Sequence, residues 1–269
     1  EIGIKPEIPT FSGGLGVLAG DTIRSAADLD LPMVAVSLVH RKGYFRQELT
    51  PEGWQVEHPL EWDPADHVTP LPAKVTVSIE GRKVAVQAWE YNVESPTGGT
   101  VAVLFLDTDC EENDPKDREI THFLYGGDPA YRLKQEVVLG IGGVRMLREL
   151  GVEVKKYHMN EGHASLLTVE LLLRSKQDIE QVWDERMVWD YDTVRELCVF
   201  TTHTPVEAGH DRFDYDTVKR VLGDLIDLTV LQDLAGEDAL NMTYLALNLS
   251  MYVNGVAKKH GEVSQDLFH

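Results

Sequence analysis

The stretch that decides the fold stands near the start of the chain and reads Ser12-Gly13-Gly14-Leu15-Gly16-Val17-Leu18-Ala19-Gly20-Asp21. Small residues let a backbone approach a ligand closely, and the helix-forming run that follows places free backbone N–H groups at a helix N-terminus. That arrangement favours an anion such as phosphate, although a plain tight turn has the same sequence. We predict a helix from about Gly14 to Leu29.

The segment after this helix predicts buried and half-buried strands. Pro32–His40 is a continuous apolar run, typical of a strand that is buried on both faces. Lys74–Ile79 and Val84–Tyr91 alternate around the turn Glu80-Gly81-Arg82 and predict a hairpin. Val101–Asp107 predicts another buried strand.

Helical and strand patterns alternate in the second half of the chain. We predict a helix over Tyr131–Leu150, whose three glycines mark close packing, then a strand over Val154–Met159 and a helix over Glu161–Leu173. Glu196–Thr202 predicts the next strand, and the pattern is helical from Asp216 onward. Strands that recur with helices between them are typical of α/β folds.

Two segments lack a regular pattern. Residues 41–71 are predicted to be irregular, and the acidic stretch Asp107–Asp117 is predicted to be a solvated loop. The fold class that results is α/β, a Rossmann-like parallel sheet with helices on both faces and a β-hairpin insertion at about residues 72–107. In such folds ligands bind beyond the carboxyl ends of the strands.

Composition excludes several classes of function. The chain has 269 residues, 43% of them apolar, and a formal net charge of −20, so nucleic-acid binding is not expected. The two cysteines, Cys110 and Cys198, exclude a disulfide scaffold and indicate reduced thiols. No apolar run would span a membrane and no secretory signal opens the chain, so we expect a cytoplasmic location without membrane contact.

Polar clusters stand at the predicted strand ends. One is the glycine-rich loop, the second is His158-Met159-Asn160-Glu161-Gly162-His163, and the third is Thr201-Thr202-His203-Thr204-Pro205, which continues to His210 and Asp211. Polar clusters that converge at strand ends are expected to form the wall of an active site.

Ordered motifs identify a family. They are Gly13-Gly14-Leu15-Gly16, Gly43-Tyr44-Phe45-Arg46-Gln47, Gly53-Trp54-Gln55, Arg132-Leu133-Lys134-Gln135-Glu136, Asn160-Glu161-Gly162-His163-Ala164, Thr202-His203-Thr204-Pro205 and the closing run from Tyr252 to Ser264. Together they resemble the N-terminal domain of the α-glucan phosphorylases, which act on glycogen, starch and maltodextrin, in their shorter prokaryotic form. The resemblance covers essentially all of residues 1–269.

The resemblance implies a fold, an activity and a cofactor. The family are glycosyltransferases with two Rossmann-like domains in a GT-B arrangement, of which this chain would be the N-terminal half. Inorganic phosphate cleaves the terminal α-1,4 bond of the glucan and gives glucose 1-phosphate, with help from the phosphate group of pyridoxal phosphate. The cofactor lysine lies in the C-terminal domain, and the chain is expected to be a fragment that starts after the first strand and lacks that domain.

The implied partners are the α-glucan, phosphate or glucose 1-phosphate, the C-terminal domain of the same enzyme and a second copy in a homodimer. The isolated fragment is expected to be inactive.

The resemblance also implies site residues. Gly13, Gly14 and Leu15 match the loop that faces the substrate and cofactor phosphates. His203 matches the catalytic-site histidine that hydrogen-bonds the 6-hydroxyl of the glucose. The alternatives are a simple turn for the loop and a histidine that caps loop backbone.

Three further residues match substrate-binding positions of the family. Asp128 aligns with a loop that gates the site, where it could equally cap the following helix. Glu161 and His163 match positions that line the acceptor side or orient its loop, and helix capping is their structural alternative. Arg132 and Lys134 match a family motif but are often structural at a helix start.

Metal binding and a sugar platform are not expected. The set His203, Glu207, His210 and Asp211 could supply ligands, but the pattern lacks the spacing of known zinc sites. Trp54 and Trp62 are expected to be core or packing aromatics.

Two other functions stay open at this point. A sugar-nucleotide-dependent glucan synthase of the same GT-B class carries a similar glycine loop, although the Asn160–His163 and Thr202–Pro205 motifs favour phosphorylase. A non-catalytic glucan-binding fragment would also fit a chain without the cofactor lysine.

Overall fold

A computed structural model describes residues 1–178, 180 and 188–268. The chain divides into two compact units. Unit 1 comprises Glu1–Thr76 and Val84–Gln135, and unit 2 comprises Val77–Lys83 and Glu136–His269.

The elements are named in chain order. The strands are β1 Val34–Leu38, β2 Arg46–Leu49, β3 Gln55–His58, β4 Thr69–Ile79, β5 Arg82–Glu94, β6 Thr100–Asp107, β7 Tyr157–Asn160, β8 Cys198–Thr202, β9 Arg212–Phe213, β10 Leu240–Asn241 and β11 Tyr252–Gly255. The helices are α1 Gly14–Asp28, α2 Pro115–Arg118, α3 Pro129–Val137, α4 Gly143–Glu149, α5 Leu166–Ser175, α6 Tyr191–Leu197, α7 Tyr215–Leu222, α8 Leu228–Ala235, α9 Met242–Asn248 and α10 Lys258–Leu267.

A four-stranded mixed sheet forms the centre of unit 1. Its order is β1-β6-β5-β4, in which β1 and β6 run parallel and β5 and β6 run antiparallel. The buried side chains of β6 pack with the inner face of α1, where Ile23, Ala26 and Ala27 are buried. The predicted helix, the buried strand over Val101–Asp107 and the hairpin are thereby confirmed, whereas β1 is a strand whose first three residues are only half-buried.

Close approach of the backbone explains two glycines of α1. A Cβ on Gly16 would lie 2.5 Å from Cβ of Phe11, and one on Gly20 would lie 2.0 Å from the carbonyl oxygen of Gly3. These two glycines are therefore needed for packing, whereas the loop glycines before them have open space.

The prediction of irregular structure over 41–71 was wrong in part. β2 and β3 form a two-stranded antiparallel ribbon with Arg46 opposite His58. Trp54, at its turn, is 73% exposed, so the expectation of a core role for this residue was also wrong. Trp62 does pack: it is half-buried and its Nε1–H donates to the carbonyl of His40. The ribbon was missed because its polar, exposed residues show no hydrophobic alternation.

The prediction of a solvated loop over Asp107–Asp117 was wrong in part: Glu111, Glu112 and Asp114 are exposed, but other polar residues of the stretch are buried. Asp107 is fully buried, and its Oδ2 accepts hydrogen bonds from Nη2 of Arg41 at 2.6 Å and Nε1 of Trp89 at 2.9 Å. Asn113 is also buried and bridges the backbone of Ala85 and Thr108. Composition alone could not show that these polar groups have buried partners.

A three-stranded parallel sheet forms the centre of unit 2, in the order β11-β8-β7. The helical run predicted over Tyr131–Leu150 contains a π-helical turn over Val138–Gly142 between α3 and α4. A Cβ on Gly140 would lie 2.6 Å from the backbone nitrogen of Leu167, so this glycine does mark close packing.

The second-half elements differ from the sequence prediction at their ends. β7 starts at Tyr157 rather than Val154, and β8 starts at Cys198 because α6 continues through Leu197. The helix predicted from Glu161 begins as a 3₁₀ turn over Gly162–Ala164, before α5. The region after Asp216 is not wholly helical, since it contains β10 and β11.

The coarse fold class is confirmed, because parallel strands alternate with helices in an α/β arrangement. The parallel pairing falls into two separate sheets rather than the one sheet predicted. Across the described residues, no helix has the length and apolar character that a membrane span requires.

Candidate functional site

The glycine-rich loop of unit 1 ends at an open helix N-terminus. Gly13 has φ 81° and ψ −166°, a conformation that is essentially restricted to glycine, and it precedes the first residue of α1. Gly13 and Gly14 are exposed, Leu15 is half-buried, and the N-cap residue Gly13 has no side chain with which to cap the helix. The first N–H groups of a helix point out of its N-terminus, so this loop can present amides to an anion.

Glu161 organises the polar end of the parallel sheet in unit 2. It is buried directly after β7. Its Oε2 accepts hydrogen bonds from the backbone nitrogens of His203 at 2.9 Å and Thr204 at 3.0 Å, and from Oγ1 of Thr204 at 2.9 Å. Its Oε1 accepts from the nitrogen of Gly162 at 3.3 Å. One carboxylate thus caps the following turn and also holds the loop after β8.

The backbone of Glu161 is strained. Its φ of 70° and ψ of 172° fall in a region that is otherwise nearly exclusive to glycine and that costs on the order of 1–3 kcal/mol for other residues. Such strain persists only where the surroundings impose it, and it concentrates at functional sites. The contacts of the carboxylate, together with the hydrogen bond from the backbone nitrogen of Glu161 to the carbonyl of Thr201 at 2.9 Å, fix both ends of the residue in this conformation.

The ring of His203 has a fixed orientation. Its Nε2 lies 2.5 Å from Oδ1 of Asn160, the last residue of β7, so the Nε2–H donates and Nδ1 is the acceptor nitrogen. Burial is the largest influence on its pKa, which is lowered, while the carboxylate of Glu161 opposes that shift. His203 is therefore a neutral imidazole at neutral pH.

A polar ladder crosses the three strands beside this histidine. Nε2 of His158 on β7 lies 2.7 Å from Oγ1 of Thr201 on β8, and that hydroxyl donates to Oδ1 of Asn254 on β11 at 3.0 Å. The neighbouring Thr202 is buried, and its Oγ1 has no hydrogen-bond partner among the described residues. Buried hydroxyls are usually paired, so this group is an exception among the polar groups of the sheet.

His163 lies on the turn after Glu161 and contacts a different segment. Its Nδ1 lies 2.9 Å from Oδ2 of Asp211, which directly precedes β9. Glu136 on α3 belongs to the same cluster. The set His203, Glu207, His210 and Asp211, considered from the sequence, does not form such a cluster among the residues that the structure describes.

Asp128 lies in unit 1, at the start of α3. Its Oδ1 accepts from the backbone nitrogen of Tyr131 at 2.9 Å, and its carbonyl accepts from the nitrogen of Arg132 at 3.1 Å. These are the bonds of a helix cap, the alternative raised for Asp128 from the sequence. A contact between Asp128 and a sugar stays a prediction.

The structure therefore brings together part of the predicted set. Glu161, His163 and His203 lie at one end of the parallel sheet in unit 2, whereas the glycine loop and Asp128 belong to unit 1. Sequence reasoning did not single out Glu136 or Thr202. Glu136 is the last residue of the Arg132–Glu136 motif. Its position just before the buried apolar run Val137–Val138 could have indicated that its carboxylate is buried.

The chain matches known proteins over its whole length. It is 38% identical over 279 residues to a maltodextrin phosphorylase of Thermococcus litoralis, covering 100% of this chain and 32% of the relative. It is 38% identical over 304 residues to a glycogen phosphorylase of Mycobacterium tuberculosis, covering 100% of this chain and 33% of that protein. A glycogen phosphorylase of Aquifex aeolicus is 31% identical over 293 residues, again across 100% of this chain and 40% of the relative.

These similarities confirm the family resemblance seen in the motifs. The chain spans about a third of the length of the curated relatives that it matches. No protein-family model matches the chain.

Proposed function

We propose that this chain, a homologue of the α-glucan phosphorylases along its entire length, serves as the N-terminal domain of such an enzyme. The complete enzyme uses inorganic phosphate to release glucose 1-phosphate from an α-1,4-glucan such as glycogen, starch or maltodextrin. This chain forms the N-terminal half of a GT-B arrangement, and the C-terminal half is its partner.

The observation that carries the proposal is the arrangement of Glu161 and His203. A buried carboxylate fixes the backbone of the loop after β8, and Asn160 fixes the ring on that loop. The loop stands at the carboxyl ends of parallel strands, where α/β folds bind ligands. A neutral, oriented imidazole can accept a hydrogen bond from a sugar hydroxyl through Nδ1.

The glycine loop supplies the anion-binding part of the proposal. The glycine-only backbone at Gly13 and the open space at Gly14 suit close approach of a phosphate group. Pyridoxal phosphate, when bound, supplies a phosphate group that assists the substrate phosphate. From this chain, the amides of Gly13, Gly14 and Leu15 would face that anion, while the cofactor itself is held mainly by the C-terminal domain.

A substrate comparison tests the role of His203. Within an enzyme that contains both domains, we expect His203→Ala to slow synthesis from glucose 1-phosphate. One neutral hydrogen bond contributes about 0.5–1.5 kcal/mol, and more if a buried partner is left unpaired. The loss is expected to be much smaller with a 6-deoxy substrate, which lacks the hydroxyl that His203 would bind.

The control for this comparison is His67→Ala, which removes a histidine that stacks on Trp62 in unit 1. Equal losses with both substrates would show that His203 is a scaffold residue. Elongation of glucan from a sugar nucleotide, without phosphorolysis, would show instead that the enzyme is a synthase.

A further inference from the structure

We propose that Glu136, His163 and Asp211 form a binding site for one divalent transition-metal ion, with Zn²⁺ and Mn²⁺ as the best-matched ions. Each residue offers one ligand atom, and the three atoms all lie within 4.8 Å of one another. The residues come from α3, from the turn after β7 and from the segment that precedes β9, all within unit 2.

The donor set suits this class of ion. One imidazole nitrogen and two carboxylate oxygens are ligands for zinc and for manganese, whereas calcium prefers oxygen donors alone. Three protein ligands also leave positions for water, as in open metal sites. Bonds of about 2.0–2.2 Å at tetrahedral angles place two ligands about 3.3–3.6 Å apart, so atoms near the 4.8 Å limit would have to approach by up to about 1.5 Å.

The charges of the cluster also favour binding of a cation. Glu136 is 4% exposed, and the side chain of Asp211 is 15% exposed, so both carboxylates lie largely out of water. Two negative charges that converge in such a place repel each other. A divalent cation would be attracted to both carboxylates, and an imidazole nitrogen of His163 would supply the third ligand.

The cluster is also preorganised and reachable. His163 Nδ1 already lies 2.9 Å from Oδ2 of Asp211, and the carbonyl of Asp211 is fixed by the backbone nitrogen of Met242 at 3.0 Å. Glu136 is held on a helix. The side chain of His163 is 30% exposed, which provides an entry path for an ion.

A bound ion would join the turn that carries Glu161 to the segment that ends the His203 loop. The metal would then stabilise the loop. This role lies outside the proposed glucan chemistry and does not depend on it.

Metal titration of the chelator-treated chain tests the site. We expect calorimetry with Zn²⁺ to show one equivalent bound, and Co²⁺ to give visible absorption bands typical of nitrogen and oxygen ligation. Substitution of residues that only hydrogen-bond a metal ligand lowers metal affinity by about 10–100-fold. We expect Glu136→Gln, His163→Gln and Asp211→Asn to cost at least as much.

The matched control is Asp224→Asn, which changes an exposed carboxylate of the same unit and should leave affinity unchanged. Each substitution nearly preserves the size of the side chain. Circular dichroism first confirms that each variant is folded, and the metal affinity of each of the three ligand variants is then measured separately. No saturable binding by the unsubstituted chain, or equal binding by the ligand variants and the control, would overturn the proposal.

Discussion

Replacing Glu161 tests whether its carboxylate holds the His203 loop. Glu161→Ala leaves the backbone N–H groups of His203 and Thr204 without their acceptor. An unsatisfied buried group costs about 1–3 kcal/mol, but His203 and Thr204 are only half-buried, so we expect a combined loss of about 1–3 kcal/mol in the free energy of unfolding. Urea denaturation measures this loss, and hydrogen exchange at the two amides locates it.

The strained backbone at Glu161 gives the experiment a second arm. Glu161→Gly removes the same carboxylate but accepts φ 70° and ψ 172° without strain. We expect relief of the backbone strain to make Glu161→Gly more stable than Glu161→Ala by about 1–3 kcal/mol. The greater conformational entropy of glycine in the unfolded chain reduces this difference.

The matched control is Glu237→Gln, at an exposed glutamate of the same unit. Protection of the His203 and Thr204 amides that survives Glu161→Ala would refute the role of the carboxylate. Equal stability of the alanine and glycine variants would refute the strain argument.

Three further outcomes are expected. Gly14→Ala should raise stability by up to about 1 kcal/mol, because a Cβ at this helical position meets no atom within 4 Å, yet it should weaken phosphate binding in the two-domain enzyme. Gly13→Ala should instead cost about 1–3 kcal/mol of stability, and thermal unfolding together with phosphate titration separates the two variants. Asp107→Asn should destabilise unit 1 by about 1–3 kcal/mol in urea, because Arg41 loses its buried partner and keeps only the longer ion pair to Asp109 at 3.5 Å; a loss under about 0.5 kcal/mol would contradict this. Burial lowers the pKa of His40 to about 3, so on acidification the unfolded chain binds a proton at this histidine at higher pH than the folded chain does. The free energy of unfolding should therefore fall as the pH is lowered from about 6.5 to about 3. A free energy of unfolding that does not change over this range, or that falls equally steeply in His40→Gln, would contradict the prediction.

The sequence predicted those parts of the fold that depend on local pattern. The apolar run of β1 and the spacing of α1 follow from burial on one or both faces, and both elements lie where expected. β11 was missed because Tyr252 and Val253 are largely exposed on a strand at one end of its sheet. Residues 252–255 form a strand because they pair with β8, which is distant in sequence, and local sequence patterns do not reveal such pairing.

The candidate site was predictable in its residues but not in its geometry. Motifs selected Glu161 and His203, yet only the structure shows that the carboxylate holds the loop and that the glutamate backbone adopts a glycine conformation. The buried state of Asp107 was likewise hidden, since a run of acidic residues looks the same whether solvated or paired. Contacts between residues distant in sequence decide each of these cases.

The most direct test of the central claim joins this chain to the remaining two thirds of the Thermococcus litoralis maltodextrin phosphorylase, in place of the matching third. Glucose 1-phosphate is then measured after incubation with maltodextrin and inorganic phosphate. Retention of pyridoxal phosphate by the hybrid serves as the check that it has assembled. We expect the assembled hybrid to release glucose 1-phosphate and to lose that activity with Glu161→Ala. An assembled hybrid that releases none, while the parent enzyme does under the same conditions, would contradict the account.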